Sequence, residues 1–386
     1  MVGPFQRRKF LSASLAVGAA GLASPRMAFA KAPISKNILL VMLRGAADGL
    51  SMLAPVGDPN LEKIRPGILG DYDGAQKANS FFAIHPAFRS VGEIYSANEA
   101  LFVHAAATSY RDRSHFDGQN LLETGAATAN TKRDGWLNRL IGLMPGDTPR
   151  ALAIAPTVPL ALRGDQPVSS YAPSALPSAS ANFIDRVSKL YAADEQLNGL
   201  WARALETQAM AGDDTLRNLR DAERTGELAA SLMREEDGAR IGMLELDGWD
   251  THANQRGAFA RQASALDTFL GSYRSAMGQA WSQTLVLVVT EFGRTARFNG
   301  TNGTDHGTGS AALMLGGPVS GGRVIADWPG IREQDLYQQR DLRPTIPLEG
   351  VLSGAIAEHF TLDPALTFET LFPGRNSAPI GSLLKT

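Results

Sequence analysis

The sequence predicts an α/β fold, a mainly parallel sheet covered by helices on both faces, and three observations carry that prediction. First, residues 285–290 are a continuous apolar or β-branched run, 37–44 repeat that buried pattern between Asn37 and Arg44, and 241–247 return to strand character. A strand reads this way when both of its faces must be buried. Second, stretches of helical periodicity separate the runs, as crossovers between parallel strands require. Third, each run breaks abruptly into a turn or loop carrying a carboxylate: Asp48 after the first, Asp250 after the second, Glu291 after the third. In open α/β sheets, ligands bind just beyond the carboxyl ends of the strands.

The 386 residues, 44% of them hydrophobic, are enough for one large domain or two smaller ones. The formal net charge is −2, from 37 basic and 39 acidic residues, which gives no electrostatic excess favouring nucleic acid or an anionic membrane. Cysteine is absent, which excludes disulfides, thiolate ligands and a cysteine nucleophile.

Residues 1–30 read as an export signal. Arg7-Arg8-Lys9-Phe10-Leu11 precedes a weakly apolar segment from Ser12 to Ala23, and Ala28-Phe29-Ala30 supplies the small residues of a cleavage site. The paired arginines match a twin-arginine signal. The apolar segment is too short and too rich in Ala and Gly for a transmembrane helix. The expected mature domain, 31–386, is periplasmic or secreted, keeps no stable membrane anchor after cleavage, and has the twin-arginine export machinery as a partner.

Taken in order, 37–44 is the first buried strand. Asp48, in the turn after it, either caps that turn or the next helix, or delivers a carboxylate to a metal site. Residues 51–84 are punctuated by Pro55, Gly57, Pro59, Pro66, Gly67 and Gly70 and read as loop. Pro86 starts a helix reaching about Asn98, and 99–104 is a short strand. Arg111, Arg113, Ser114 and His115 then crowd the start of a helix, where free N–H groups and the helix dipole favour an anion. Residues 132–144 form an amphipathic helix, 151–155 a strand, and 156–179, rich in Pro and Ser, a surface excursion.

From 181 to 236 the pattern is helical and charged, with Gly199, Gly212 and Gly226 as breaks; it forms a helical insertion or flank of the sheet. After the strand at 241–247, Asp250 and His252 stand two apart in an extended loop and so face one side. Residues 255–281 form one long helix with Phe259, Leu266, Phe269 and Leu270 on its buried face. The strand at 285–290 runs into Glu291 and a Gly-rich loop with Asp305 and His306. Short strands follow at 311–317 and 322–326, then a last helix from Pro347 to His359 and an irregular tail from Asp363. His85, His104 and His359 take structural roles.

Strand ends thus supply Asp48, Ser114/His115, Asp250/His252 and Glu291, with Asp305/His306 in the loop that follows. Shared placement at one sheet edge is what a single cleft requires. Imidazoles with carboxylates suit Zn²⁺ or Mn²⁺, and the oxygen-only subset suits Ca²⁺ or Mg²⁺.

Leu43-Arg-Gly-Ala-Ala-Asp-Gly-Leu50, Arg113-Ser-His-Phe116, Gly248-Trp-Asp-Thr-His252, Thr290-Glu-Phe-Gly-Arg294 and Thr304-Asp-His-Gly307 resemble the motifs of exported bacterial proteins with the domain of unknown function 1501, within reach of the alkaline phosphatase/sulfatase superfamily. That resemblance implies a three-layer αβα sandwich. It implies metal ligands at Asp48, Asp250, His252 and His306, to which strand-end placement adds Glu291 and Asp305 as candidate ligands, and a nucleophile at the start of a helix that ends in Thr124-Gly125. The sulfatase nucleophile position falls on His115, with Ser114 adjacent, and no cysteine is available for conversion to formylglycine. Glu291-Phe292 stands where many relatives carry Asp-His, which puts one metal site in question.

The function so implied is metal-dependent hydrolysis of a small anionic phosphate or sulfate ester, of the phosphatase, phosphodiesterase or sulfatase type. Ser114 or His115 would attack or assist, while Arg111, Arg113 or Arg294 would neutralise developing charge. The alternative is a non-catalytic envelope binding protein that retains the sulfatase-like fold.

Overall fold

β1 (Asn37–Leu43) has all seven residues buried, with side chains alternating to the two faces of a sheet. A computed structural model describes residues 35–144, 150–174, 179–211 and 216–385; the expected signal segment lies outside them. Around β1 are arranged β2 (Ala100–Ala107), β3 (Ala151–Ile154), β4 (Ser169–Tyr171), β5 (Ile241–Leu246), β6 (Thr284–Thr290), β7 (Ser310–Leu315), β8 (Arg323–Ile325) and β9 (Ile346–Pro347). Among the described residues they form a nine-stranded sheet in the order β8-β2-β7-β6-β1-β5-β3-β4, with β9 also paired to β2. Val41 of β1 stands beside Leu244 of β5 and Val288 of β6, so the three apolar runs read from sequence are the three central strands.

All pairings are parallel except those of β7 with β2 and β6. The carboxyl ends of the parallel strands therefore share one edge, and the reversed β7 begins at that edge. This mainly parallel α/β sheet is the fold class the sequence predicts.

The helices are α1 (Gly49–Met52), α2 (Arg89–Ser96), α3 (His115–Thr124), α4 (Trp136–Leu143), α5 (Ala181–Tyr191), α6 (Glu195–Ala211), α7 (Ala222–Met233), α8 (Gln255–Met277), α9 (Leu348–Phe360) and α10 (Pro364–Leu371). Leu39, Val41 and Leu43 pack under α2, α7 and α8 on one face. Ile38, Leu40 and Met42 pack under α4, α9 and α10 on the other. Each such side chain contributes roughly 1.5–3 kcal/mol by leaving water. Trp136 anchors α4, its indole N–H donating to the Leu122 carbonyl at 2.9 Å. No helix among the described residues is long and apolar enough to cross a membrane.

Several sequence expectations need correction. Gly199 lies inside α6 and Gly226 inside α7, and neither breaks its helix. Gly226 serves close packing instead, since a Cβ there would lie 2.0 Å from Ser272 Oγ and 2.6 Å from the Phe269 carbonyl on α8. The segment 51–84 contains helical turns at Leu61–Ile64 and Ile68–Asp71, and the tail contains α10.

Candidate metal centre

Strand direction brings the chemistry together. His115 opens α3 after β2, Asp250 and His252 follow β5, Glu291 follows β6 at once, and Asp305 and His306 precede β7. Ligand atoms of His115, Asp250 and His306 all lie within 4.8 Å of one another.

Their hydrogen-bond partners assign the imidazole tautomers. His306 Nδ1 donates to the Arg113 carbonyl at 3.0 Å, and a carbonyl can only accept. His115 Nδ1 donates to Glu291 Oε1 at 2.8 Å. Burial alone would raise the Glu291 carboxyl, but bonds from His115 and Gln119 outweigh it and hold it below its ordinary range, hence ionised. Each neutral ring thus turns a bare Nε2 inward, and these two atoms sit 3.0 Å apart. Two lone pairs at that distance repel unless a proton or a cation lies between them.

His306 Nε2 is 3.2 Å from Asp250 Oδ1, and His115 Nε2 is 3.5 Å from Asp250 Oδ2. Donors about 2.0–2.1 Å from a common ion stand roughly 2.9–3.4 Å apart in octahedral to tetrahedral geometry, so the three residues fit a divalent ion. The hydrogen bond His115 donates to Glu291 raises the pKa of His115 against the effect of burial, whereas burial lowers that of His306. A proton shared between the rings is the ion-free alternative, and a cation displaces it.

Asp250 is steered by Arg294. The guanidinium, fully buried, donates from Nη1 to Asp250 Oδ1 at 2.5 Å and from Nε to Thr304 Oγ1 at 3.0 Å. Burial opposes ionisation of Asp250, but Arg294 prevails and keeps its carboxyl below the ordinary range. Gly45 makes room for this loop: with φ at +112°, a Cβ there would lie 2.5 Å from the Asp250 nitrogen. Phe292 stacks on the His115 ring with centroids 5.0 Å apart, forming one wall. His252, 47% exposed, closes the cluster on its solvent side; its Nε2 is 3.1 Å from His306 Nε2 and 2.9 Å from Asp250 Oδ1, and its Nδ1 is 3.2 Å from Asp305 Oδ1. The Asn299 amide and this imidazole keep the Asp305 carboxyl low.

The structure does not bring every expected residue to the cluster. Asp48 is the clearest departure. Both of its oxygens are consumed: Arg65 donates from Nη1 at 2.5 Å and Nη2 at 3.0 Å, Ser51 Oγ at 2.6 Å, Gln255 Nε2 at 2.9 Å and the Leu50 nitrogen at 3.2 Å. It caps α1, the other role the sequence left open. Burial opposes its ionisation, and the Arg65 charge overcomes that.

Glu291 orients His115 rather than facing the cluster, because Oε1 accepts from the Gly45 nitrogen, Gln119 and His115 while Oε2 accepts from Thr290. Arg294 is turned to Asp250 and Thr304. Arg113 Nε and Nη2 donate to Asp341 and Gln338 at 2.8 and 2.6 Å, and its φ of +62° is a strained conformation that aims its carbonyl at His306. Arg111 Nη1 bonds the Thr108 and Tyr110 carbonyls. Ser114 stands at the N-cap of α3 with no capping bond, and both nitrogens of the adjacent imidazole are directed elsewhere. Sequence reasoning missed Arg65, Gln119, Gln255 and Asn299. Only Asn299 carried a signal, lying in the same polar loop as Asp305.

Fold and cluster together define an α/β protein with an imidazole-and-carboxylate cluster, able to hold a cation, at the carboxyl edge of a mainly parallel sheet. The chain belongs to the family described as protein of unknown function (DUF1501), which it matches over residues 106–369. No curated protein matches the sequence. Among solved structures, the chain is similar to Ps i-CgsB in complex with k-i-k-neocarrahexaose (TM-score 0.41, 10% identity, covering 85% of this chain and 72% of that one). It is also similar to the PsFucS1 sulfatase from Pseudoalteromonas sp. (0.36, 12%, 83% and 68%). A third is the alkaline phosphatase from the Antarctic bacterium TAB5 (0.36, 11%, 75% and 94%).

Proposed function

We propose that this chain is a metal-dependent hydrolase of phosphate or sulfate esters, exported in folded form by the twin-arginine route. The observation that supports the metal is the pair of bare Nε2 atoms of His115 and His306, 3.0 Å apart beside the Asp250 carboxylate. The ester class rests on the motif resemblance, and export on Arg7-Arg8 and Ala28-Phe29-Ala30.

His115 Nε2, His306 Nε2 and Asp250 Oδ2 hold the ion, with Zn²⁺ or Mn²⁺ suiting two imidazoles and a carboxylate better than Ca²⁺ or Mg²⁺. When bound, a divalent ion supplies Lewis-acid polarisation of an ester oxygen. Glu291 and the Arg113 carbonyl lock the two ring tautomers. Arg294 fixes Asp250 and balances its charge. Phe292 excludes water from one side of His115. His252, its Nε2 3.1 Å from His306 Nε2 and 2.9 Å from Asp250 Oδ1, stands where it would add a further imidazole from the solvent side.

A second reading, an ion-binding envelope protein without turnover, is favoured by one observation. The guanidiniums of Arg113 and Arg294 are already engaged, and among the described residues no base is hydrogen-bonded to the Ser114 hydroxyl. Elemental analysis of the purified protein, with a screen of aryl phosphate, phosphodiester and aryl sulfate substrates, separates the readings. Stoichiometric ion with turnover, both lost in His306→Ala, is the expected result. Ion without turnover of any substrate favours the binding protein, and neither ion nor turnover overturns both.

A further inference from the structure

Arg375 lies at the carboxyl end of β2, its side chain only 4% exposed, beside a cleft of about 450 Å³ bounded also by Arg111, Thr345, Glu349 and Ser377. None of these residues belongs to the histidine cluster. One edge of the Arg375 guanidinium is occupied: Nη1 donates to Ser109 Oγ and lies 3.2 Å from Glu349 Oε1. The other is not. Arg375 Nε and Nη2 and the Ser377 hydroxyl are buried without a hydrogen-bond partner.

Nε–H and Nη2–H of an arginine point the same way, as a fork whose spacing matches two oxygens of one anion. Donors left like this have lost their hydration with nothing in exchange, which folded proteins rarely tolerate. The charges are also uneven. Two guanidiniums, Arg111 and Arg375, face the single carboxylate of Glu349, leaving one positive charge in excess. Burial lowers the pKa of both guanidiniums, and the charge of Arg375 lowers that of Arg111 further, so an anion in the cleft relieves both.

We propose that this cleft binds a small oxyanion of the phosphate or sulfate class, taken side-on by the Nε–Nη2 edge of Arg375, with the Ser377 hydroxyl and the Arg111 guanidinium as further donors. The guanidinium turns its free edge toward the cleft as the anion enters. The site is separate from the proposed hydrolysis and stands or falls without it.

Calorimetric titration of the purified, chelator-treated full chain with inorganic phosphate, and separately with sulfate, tests it. The expected result is saturable binding of one anion per chain, weakened roughly tenfold to a hundredfold in Arg375→Gln, less in Ser377→Ala and Arg111→Gln, and unchanged in His306→Ala. Circular dichroism checks that each variant is folded; where Arg375→Gln is not, the Ser377 and Arg111 variants decide. Absence of saturable binding means that the cleft holds only water and overturns the proposal. Binding that disappears in His306→Ala but survives the cleft variants overturns it too, as does binding that no variant alters.

Discussion

Replacing Glu291 by glutamine removes one negative charge from the proposed metal centre and almost nothing else. Glu291 Oε1 accepts from the Gly45 nitrogen at 2.9 Å, from Gln119 at 3.0 Å and from His115 Nδ1 at 2.8 Å, and Oε2 faces the Thr290 hydroxyl at 2.9 Å. An amide with its oxygen in the Oε1 position keeps all three donors satisfied and donates to Thr290 from the other side. The His115 ring therefore stays in place and loses only the anion that makes its Nε2 a stronger donor. Outer partners of this kind are worth about 10–100-fold in metal affinity, or roughly 1.4–2.7 kcal/mol. Competition with a chromophoric chelator measures that affinity for Zn²⁺, and a thermal melt controls for folding. An affinity within about twofold of the wild type in a folded variant would refute the orienting role, since it lies well below the loss expected of such a partner. Complete loss of the ion would refute it in the other direction, placing Glu291 among the ligands.

Two further outcomes follow from buried groups away from the bare Nε2 atoms. Asp48→Asn leaves Arg65 buried against a neutral amide and is expected to cost roughly 3–5 kcal/mol in urea unfolding while ion stoichiometry is retained; loss of the ion in a folded variant would make Asp48 a ligand after all. His104 and His359 are buried, and burial takes their pKa from 6.5 to about 4. Both stay neutral in the folded chain while the unfolded chain takes up protons. Their contribution is complete above pH 6.5 and is lost as the pH falls toward about 4, on the order of 3 kcal/mol each. Unfolding free energies measured across that window should fall with pH, less steeply in His359→Gln, and a flat profile would contradict the assignment.

Much of the architecture could be read in advance because burial on both faces leaves no choice of residue. β1 and β6 show it as nearly unbroken apolar runs, β5 does so up to Glu245, and the three are adjacent in the sheet. Where the reading failed, the deciding interaction spans sequence distance. Asp48 reads as a ligand ahead of a cap until Arg65, in a stretch marked only by Pro and Gly, closes on it. Glu291 was marked as chemically important, but its task depended on His115 arriving from another strand end. Gly226 read as a helix break because its reason, the approach of α8, is not local. α10 was missed although Asp363-Pro364 is a cap followed by proline at the first helical position, a start signal present in the sequence.

The reversal of β7 has a consequence for how this centre can change. In a parallel crossover, the chain leaving one strand must cross to the opposite edge before the next begins. Between β6 and β7 it never leaves the carboxyl edge, so residues 291–309 are pinned at both ends to the same rim. Glu291, Arg294, Asp305 and His306 all ride on this one excursion. Rebuilding it could alter a tautomer lock, a carboxylate clamp and a ligand at once, without any strand losing its neighbour.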